Sequence, residues 1–194
     1  LATGQVVVRV LGSCVGVSVG DRTGSMVAAF YIDSRSLVIV SSLTALCIGA
    51  SLGFAWMAAQ KERCLAIWSS AFLLAAAGYF LVWTRGIAPD FISIVLANSL
   101  IIAGGFALIR GVDFFLETKK SSWPLVLFGM VAFVFLYYYT YLQPSLDARI
   151  IVVSITVGLF AFIGARRLLC NYEPELRKPQ AFVAALFILH GLIM

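Results

Sequence analysis

Charge is what this sequence has least of. Only 12% of its residues are Asp, Glu, Lys or Arg, where a soluble domain carries about 25%. A chain of 194 residues with so little charge cannot cover a water-facing surface. Acidic residues are missing from the middle of every long apolar run. They fall on connections and flanks: Asp33, Glu62, Asp90, Asp113, Glu117, Asp147, Glu173 and Glu175, with Asp21 further upstream. Pumps and ion-coupled carriers place an ionisable group at mid-membrane, so its absence counts against them, though not against a carrier of neutral solutes. Histidine occurs once, at His190. A membrane haem needs histidine pairs and a histidine zinc site needs several ligands, so no cofactor or metal is expected. The four cysteines (Cys14, Cys47, Cys64 and Cys170) fit no metal spacing and read as small buried hydrophobes. The basic residues form no stripe, which argues against nucleic acid as a partner. No catalytic constellation is present.

Hydrophobic residues are abundant, at 62% of the chain, and mean hydropathy is +1.01. A membrane-spanning helix needs about 20 mainly apolar residues. Five runs meet this: Leu37 to Ala59, Leu65 to Thr84, Phe91 to Ile109, Pro124 to Leu142 and Ile150 to Ala165. The last is short, with Arg149 and Arg166 able to snorkel at its ends. A sixth run starts near Ala181 and is still apolar at Met194. The expected fold is therefore an all-α polytopic bundle of five complete spans and a truncated sixth, with a seventh to follow. Connections are short. RGIAPD carries turn-forming Gly86 and Pro89, and NYEPELRKPQ carries two prolines expected to stop helix.

Residues 1–30 differ, being rich in Val, Gly and Ser, with VGVSVG alternating like a strand. Met26 opens MVAAFYIDSRSL, an ordinary start before a first span, so residues 1–25 read as upstream sequence. A signal peptide interrupted by Arg9 is the alternative. The membrane domain is then 31–194.

Lys and Arg are distributed unevenly. Lys61, Arg63, Arg110, Lys119, Lys120, Arg166, Arg167, Arg177 and Lys178 lie on the first, third and fifth connections; Arg85 and Arg149 alone lie on the second and fourth. The positive-inside rule puts the nine in the cytoplasm and the N-terminus outside. Trp56, Trp68, Trp83 and Trp123 fall near span ends, and Tyr137, Tyr138, Tyr139 and Tyr141 close the fourth span, as an interfacial aromatic belt would.

Spans associate by close packing, which small residues permit. Gly49 and Gly53 form a GxxxG in the first span; Ala103, Ala107 and Gly111 repeat the spacing in the third; Gly158 belongs to such a face in the fifth. The polar residue Asn98 can hold register by bonding to a neighbouring helix. A second reading is sharper. Ser42, Tyr79, Asn98, Tyr138 and Ser154 share the outer half of the bundle, where with His190 they would line a ligand pocket of apolar walls and a few placed polar groups. Helix bridging is the commoner role of such residues.

The run from DSRSL at Asp33 through ANSLIIAGGFALIRGVDFFLE at Glu117 carries a further pattern. A short acidic lead-in precedes the first span and Trp68 opens the second. Pro89 and Asp90 make the turn, and Asn98, Gly105, Gly111 and Phe115 mark the third. This resembles the N-terminal membrane region of bacterial GGDEF diguanylate cyclases, and similar regions precede histidine kinases. The likeness extends over roughly Asp33 to Met194. GGDEF itself is absent, the first thirty residues do not fit, and YYYTY lacks the His and Met of the MHYT sensors. The resemblance implies a sensory input module in the bacterial inner membrane, homodimeric in the whole protein, that answers a small-molecule or membrane stimulus. Its cytoplasmic output, outside this chain, would make cyclic di-GMP. The alternative is a small permease for a neutral solute, which internal repeats and broken helices would favour; no repeat is evident. A structural membrane subunit is a third possibility.

Overall fold

The computed structural model describes residues 34–59, 62–118, 121–170 and 176–193. The strand-like segment, the Met26 start and Cys14 lie outside the described residues. Six helices follow one another: α1 (Ser34–Ala58), α2 (Arg63–Trp83), α3 (Ala97–Phe115), α4 (Trp123–Tyr141), α5 (Leu146–Cys170) and α6 (Arg177–Ile193). A π-helical stretch, Phe91–Leu96, runs directly into α3. There is no β-sheet among the described residues. Among the described residues, five helices are long and apolar enough to cross a membrane, the third being the continuous run Phe91–Phe115.

Helix ends follow local chemistry. The α2 helix stops at a turn where Gly86 takes φ +90°, a conformation open to glycine; the N–H groups of Ile87 and Ala88 both donate to the Thr84 carbonyl. Ser145 caps α5, its Oγ accepting the Ala148 N–H at 3.3 Å. At the end of α3, Glu117 sits at φ 50°. The Thr118 N–H donates to the Asp113 carbonyl and the Glu117 N–H to that of Phe114, which is a Schellman cap with glutamate where glycine is favoured.

Two spans run a turn or more past their expected limits. The third continues past Ile109 to Phe115, and the fifth covers Leu146–Cys170 rather than Ile150 to Ala165. Charged residues assigned to connections thus lie on helices, because Arg110, Asp113 and Arg167 satisfy one another there. The α6 helix starts at Arg177, four residues before the expected Ala181. Pro179 does not stop a helix: it lies in the first turn of α6, where the missing N–H would have had no partner anyway.

The helices pack in a defined order. α2 lies between α1 and α3; α5 lies against α3, α4 and α6; and α1 and α6 each pack on one neighbour only. The α2–α3 contact is close because small residues face it. A Cβ on Gly104 would stand 2.8 Å from the Ala71 carbonyl oxygen, one on Gly78 would stand 2.8 Å from that of Ala97, and one on Gly111 would strike the Trp68 indole. On the far side, Ile102, Ile109, Leu125, Leu136 and Phe160 join α3, α4 and α5 in one core cluster. Leu43, Phe54, Met130 and Val134 point outward, as lipid-facing side chains do. Apolar surface of this extent suits contact with a bilayer.

Candidate functional site

The antiparallel order brings the ends of α1, α3 and α5 together with the starts of α2, α4 and α6. At this end a cavity of about 720 Å³ lies between α1–α2 on one side and α6 on the other. Ile48 and Leu52 of α1 and Trp68 and Phe72 of α2 form one wall. Leu108, Val112 and Phe115 of α3, with Leu168 of α5, form the floor. Gln180, Val183, Phe187 and His190 of α6 form the second wall. Its volume and mainly apolar lining are those of a ligand pocket. It is an open slot, since α1 and α6 do not pack on one another. Trp68 is fixed in the wall: its Nε1 donates to the Leu108 carbonyl at 3.3 Å, and its ring tilts against Phe115 at 5.9 Å. Trp68 lies near the start of α2, as expected, and its indole wedges between α2 and α3.

Beside the slot lies a buried ion pair. Arg167 of α5 donates through Nη1 to Oδ2 of Asp113 on α3. Asp113 is 2% exposed. Arg110 stands one turn before it, 3.6 Å from the same oxygen. Its Nη1 also donates to the Ser122 Oγ at 2.6 Å, and its guanidinium lies over the Phe114 ring. One carboxylate thus ties α3 to α5, while the neighbouring arginine ties α3 to the start of α4. Asp113 adjoins Val112, and Arg167 adjoins Leu168, two residues that line the slot. The sequence alone places Asp113 on a connection. The signal lay in the i,i+3 spacing of Arg110 and Asp113 followed by FFL, which keeps the helix apolar for another turn.

Of the six pocket residues expected from sequence, only His190 lines this cavity. The slot also lies toward the basic end, opposite the outer half where those residues were expected to converge. Asn98 is half-buried and its Nδ2 donates to the Ile94 carbonyl of its own helix at 2.7 Å. Among the described residues it makes no interhelical bond, because the carbonyl one turn back is within reach of its amide, as it is for Thr140 and Thr156. Ser99 and Ser93 likewise donate to carbonyls four residues back, on Val95 and Pro89. Ser42 is a true bridge, donating from α1 to the Ala76 carbonyl of α2 at 2.9 Å. Tyr79 is half-buried on α2 and Ser154 half-buried on α5. Tyr138 is exposed, edge-on to Tyr139 at 5.2 Å.

The bridging polar group missed in the sequence is Ser69. Its Oγ donates to the Gly49 carbonyl at 2.7 Å, and a Cβ on Gly53 would meet that oxygen at 3.2 Å. Gly49 and Gly53 therefore sit at the α1–α2 contact. In α3, Gly111 faces α2 and Ala107 is half-buried, but Ala103 is exposed; Gly104, one residue along and about 100° around the helix, makes the close approach. Gly158 faces α6, where a Cβ would meet the Gly191 carbonyl at 3.4 Å. The cysteines are not buried as expected. Cys47 and Cys170 are exposed and Cys64 is partly so, which suits an apolar thiol facing lipid. Among the described residues, no three His, Cys, Asp or Glu side chains gather as metal ligands would.

Comparisons with protein-family models, with curated proteins and with solved structures return no match for this chain. Its class rests on its own features: five apolar helices of spanning length, a small-residue interior and an apolar exterior make it a multi-pass membrane protein.

Proposed function

We propose that this chain is the sensory input region of a bacterial signalling protein of the inner membrane, with its basic end in the cytoplasm and its N-terminus outside. The observation that carries this reading is the position of the slot beside the Asp113–Arg167 pair. An occupant of the slot touches Val112 and Phe115 of α3 and Leu168 of α5. It therefore bears on the two turns that hold the ion pair. A ligand that fits one spacing of α3 and α5 better than another shifts the balance between them, and packed helices move in discrete steps. Because α6 packs only on α5, these two helices move together. In a homodimer that displacement would reach a cytoplasmic output, of the diguanylate cyclase type by the resemblance above.

The test is an in-frame fusion of this chain to a diguanylate cyclase catalytic domain, with cyclic di-GMP measured in cells. Asp113→Asn and Val183→Trp are expected to change output several-fold at equal membrane levels. Equal output from all three chains would overturn the reading. A neutral-solute permease is the competing function. The π-helical stretch Phe91–Leu96 favours it, since irregular helix recurs at functional sites. Solute uptake by proteoliposomes of the purified chain would decide for it.

A further inference from the structure

We infer that the slot between α1–α2 and α6 holds an acyl chain of an anionic phospholipid whose headgroup sits at the basic end of the bundle. Three observations lead there. First, the slot opens sideways within the span, because α1 and α6 do not pack on one another, so it is continuous with bilayer hydrocarbon. Water does not fill an apolar cavity of this kind. Second, its dimensions suit a chain. From Leu176 to His190 the α6 wall rises about 21 Å at 1.5 Å per residue, against about 15 Å for the hydrocarbon of one leaflet. The polar side chains on that wall, Gln180 and His190, lie ten residues apart and leave an apolar stretch of about 15 Å between them. Third, the two ends of the bundle differ in charge. The helix ends and links at the slot end carry nine Lys and Arg against five Asp and Glu; the opposite end carries Arg35, Arg85 and Arg149 against Asp33, Asp90 and Asp147. Arg63 and Lys178, exposed in the first turns of the helices flanking the slot, supply positive charge at headgroup level. Basic clusters beside interhelical pockets select anionic headgroups.

The site deepens the groove part of the proposed function and rests on it, but its test reads binding rather than signalling. Trp68 lines the slot and serves as the probe once Trp56, Trp83 and Trp123 are replaced by Phe. Brominated acyl chains quench a tryptophan they touch. In vesicles, dibromo-phosphatidylglycerol is expected to quench Trp68 at a lower mole fraction than dibromo-phosphatidylcholine. Lys178→Gln and Arg63→Gln should each reduce that preference by roughly fivefold at most. Val183→Phe should weaken quenching by both lipids, because it fills the slot. Equal quenching by the two lipids in the unsubstituted slot overturns the anionic lipid, and absence of quenching overturns the acyl chain altogether. Should a slot variant fail to fold, the comparison of the two lipids still decides, since it needs no change inside the cavity. Selective quenching with unaltered cyclic di-GMP output would sink the sensor alone; equal quenching with altered output would sink the lipid site alone.

Discussion

Arg167 on α5 and Asp113 on α3 form a buried ion pair that joins helices 54 residues apart in sequence. Removing Asp113 takes the carboxylate away from Arg167, and removing Arg167 leaves Asp113 facing only the longer contact to Arg110 at 3.6 Å; breaking a buried pair from one side costs about 3 kcal/mol or more. Asp113→Ala and Arg167→Ala should each lower stability by that order. The double variant Asp113→Leu/Arg167→Leu should lose much less than the two single changes added together, because neither charge of the pair is left behind and Arg110 keeps its bond to Ser122. Unfolding of the purified protein in mixed micelles across this cycle measures the coupling; additive losses would show that the pair is not coupled.

The α2–α3 contact predicts a rank order among glycines. Gly104→Ala places a methyl 2.8 Å from the Ala71 backbone oxygen, so one helix must move, at about 1–3 kcal/mol. Gly129→Ala meets nothing nearer than Ile102 at 3.7 Å and should be neutral or gain up to about 1 kcal/mol from helix propensity. Thermal inactivation of the two variants in detergent should therefore move in opposite directions or, at least, by clearly different amounts.

The spans were legible because the solvent leaves its mark on composition: where lipid surrounds a helix, apolar residues must run for its whole length. Interior faces were harder to read. In α3 small residues occur at 103, 104, 105, 107 and 111, and several sets share a four-residue spacing. Only the neighbouring helix decides between Ala103, which faces outward, and Gly104, which meets Ala71. Polar residues posed the same problem. Asn98 and Ser69 both look like bridges, yet one bonds within its own helix and the other across to α1. Asp113 was obscured because a charge at a span's end ordinarily marks the end of the span, and here a partner on α5 let the helix continue.

Glu117 occupies the left-handed position of the α3 cap. For an L-residue with a Cβ this costs about 1 kcal/mol relative to glycine. Glu117→Gly should stabilise the chain by that amount without altering the two cap hydrogen bonds. Glu117→Val should do the reverse, since β-branched residues fit that region worst. A melting-temperature series over Gly, Glu and Val at this position checks the order.

Ser69 and Asn98 offer the sharpest contrast between a polar group that joins helices and one that does not. The Ser69 hydroxyl donates across to the Gly49 carbonyl at a site only 7% exposed. Interhelical bonds of this kind are worth about 0.6 kcal/mol on average and up to about 1.7. Asn98 returns its amide hydrogen to Ile94 on its own helix, so that hydrogen bond does not join spans. Ser69→Ala should therefore weaken the α1–α2 contact, and Asn98→Leu should leave it unchanged. Two separately expressed pieces of the chain, divided in the link between α1 and α2, make this measurable. Their recombination in micelles, followed by energy transfer, should fall for Ser69→Ala and hold for Asn98→Leu. The opposite order would mean that the amide, rather than the hydroxyl, secures the helices to each other.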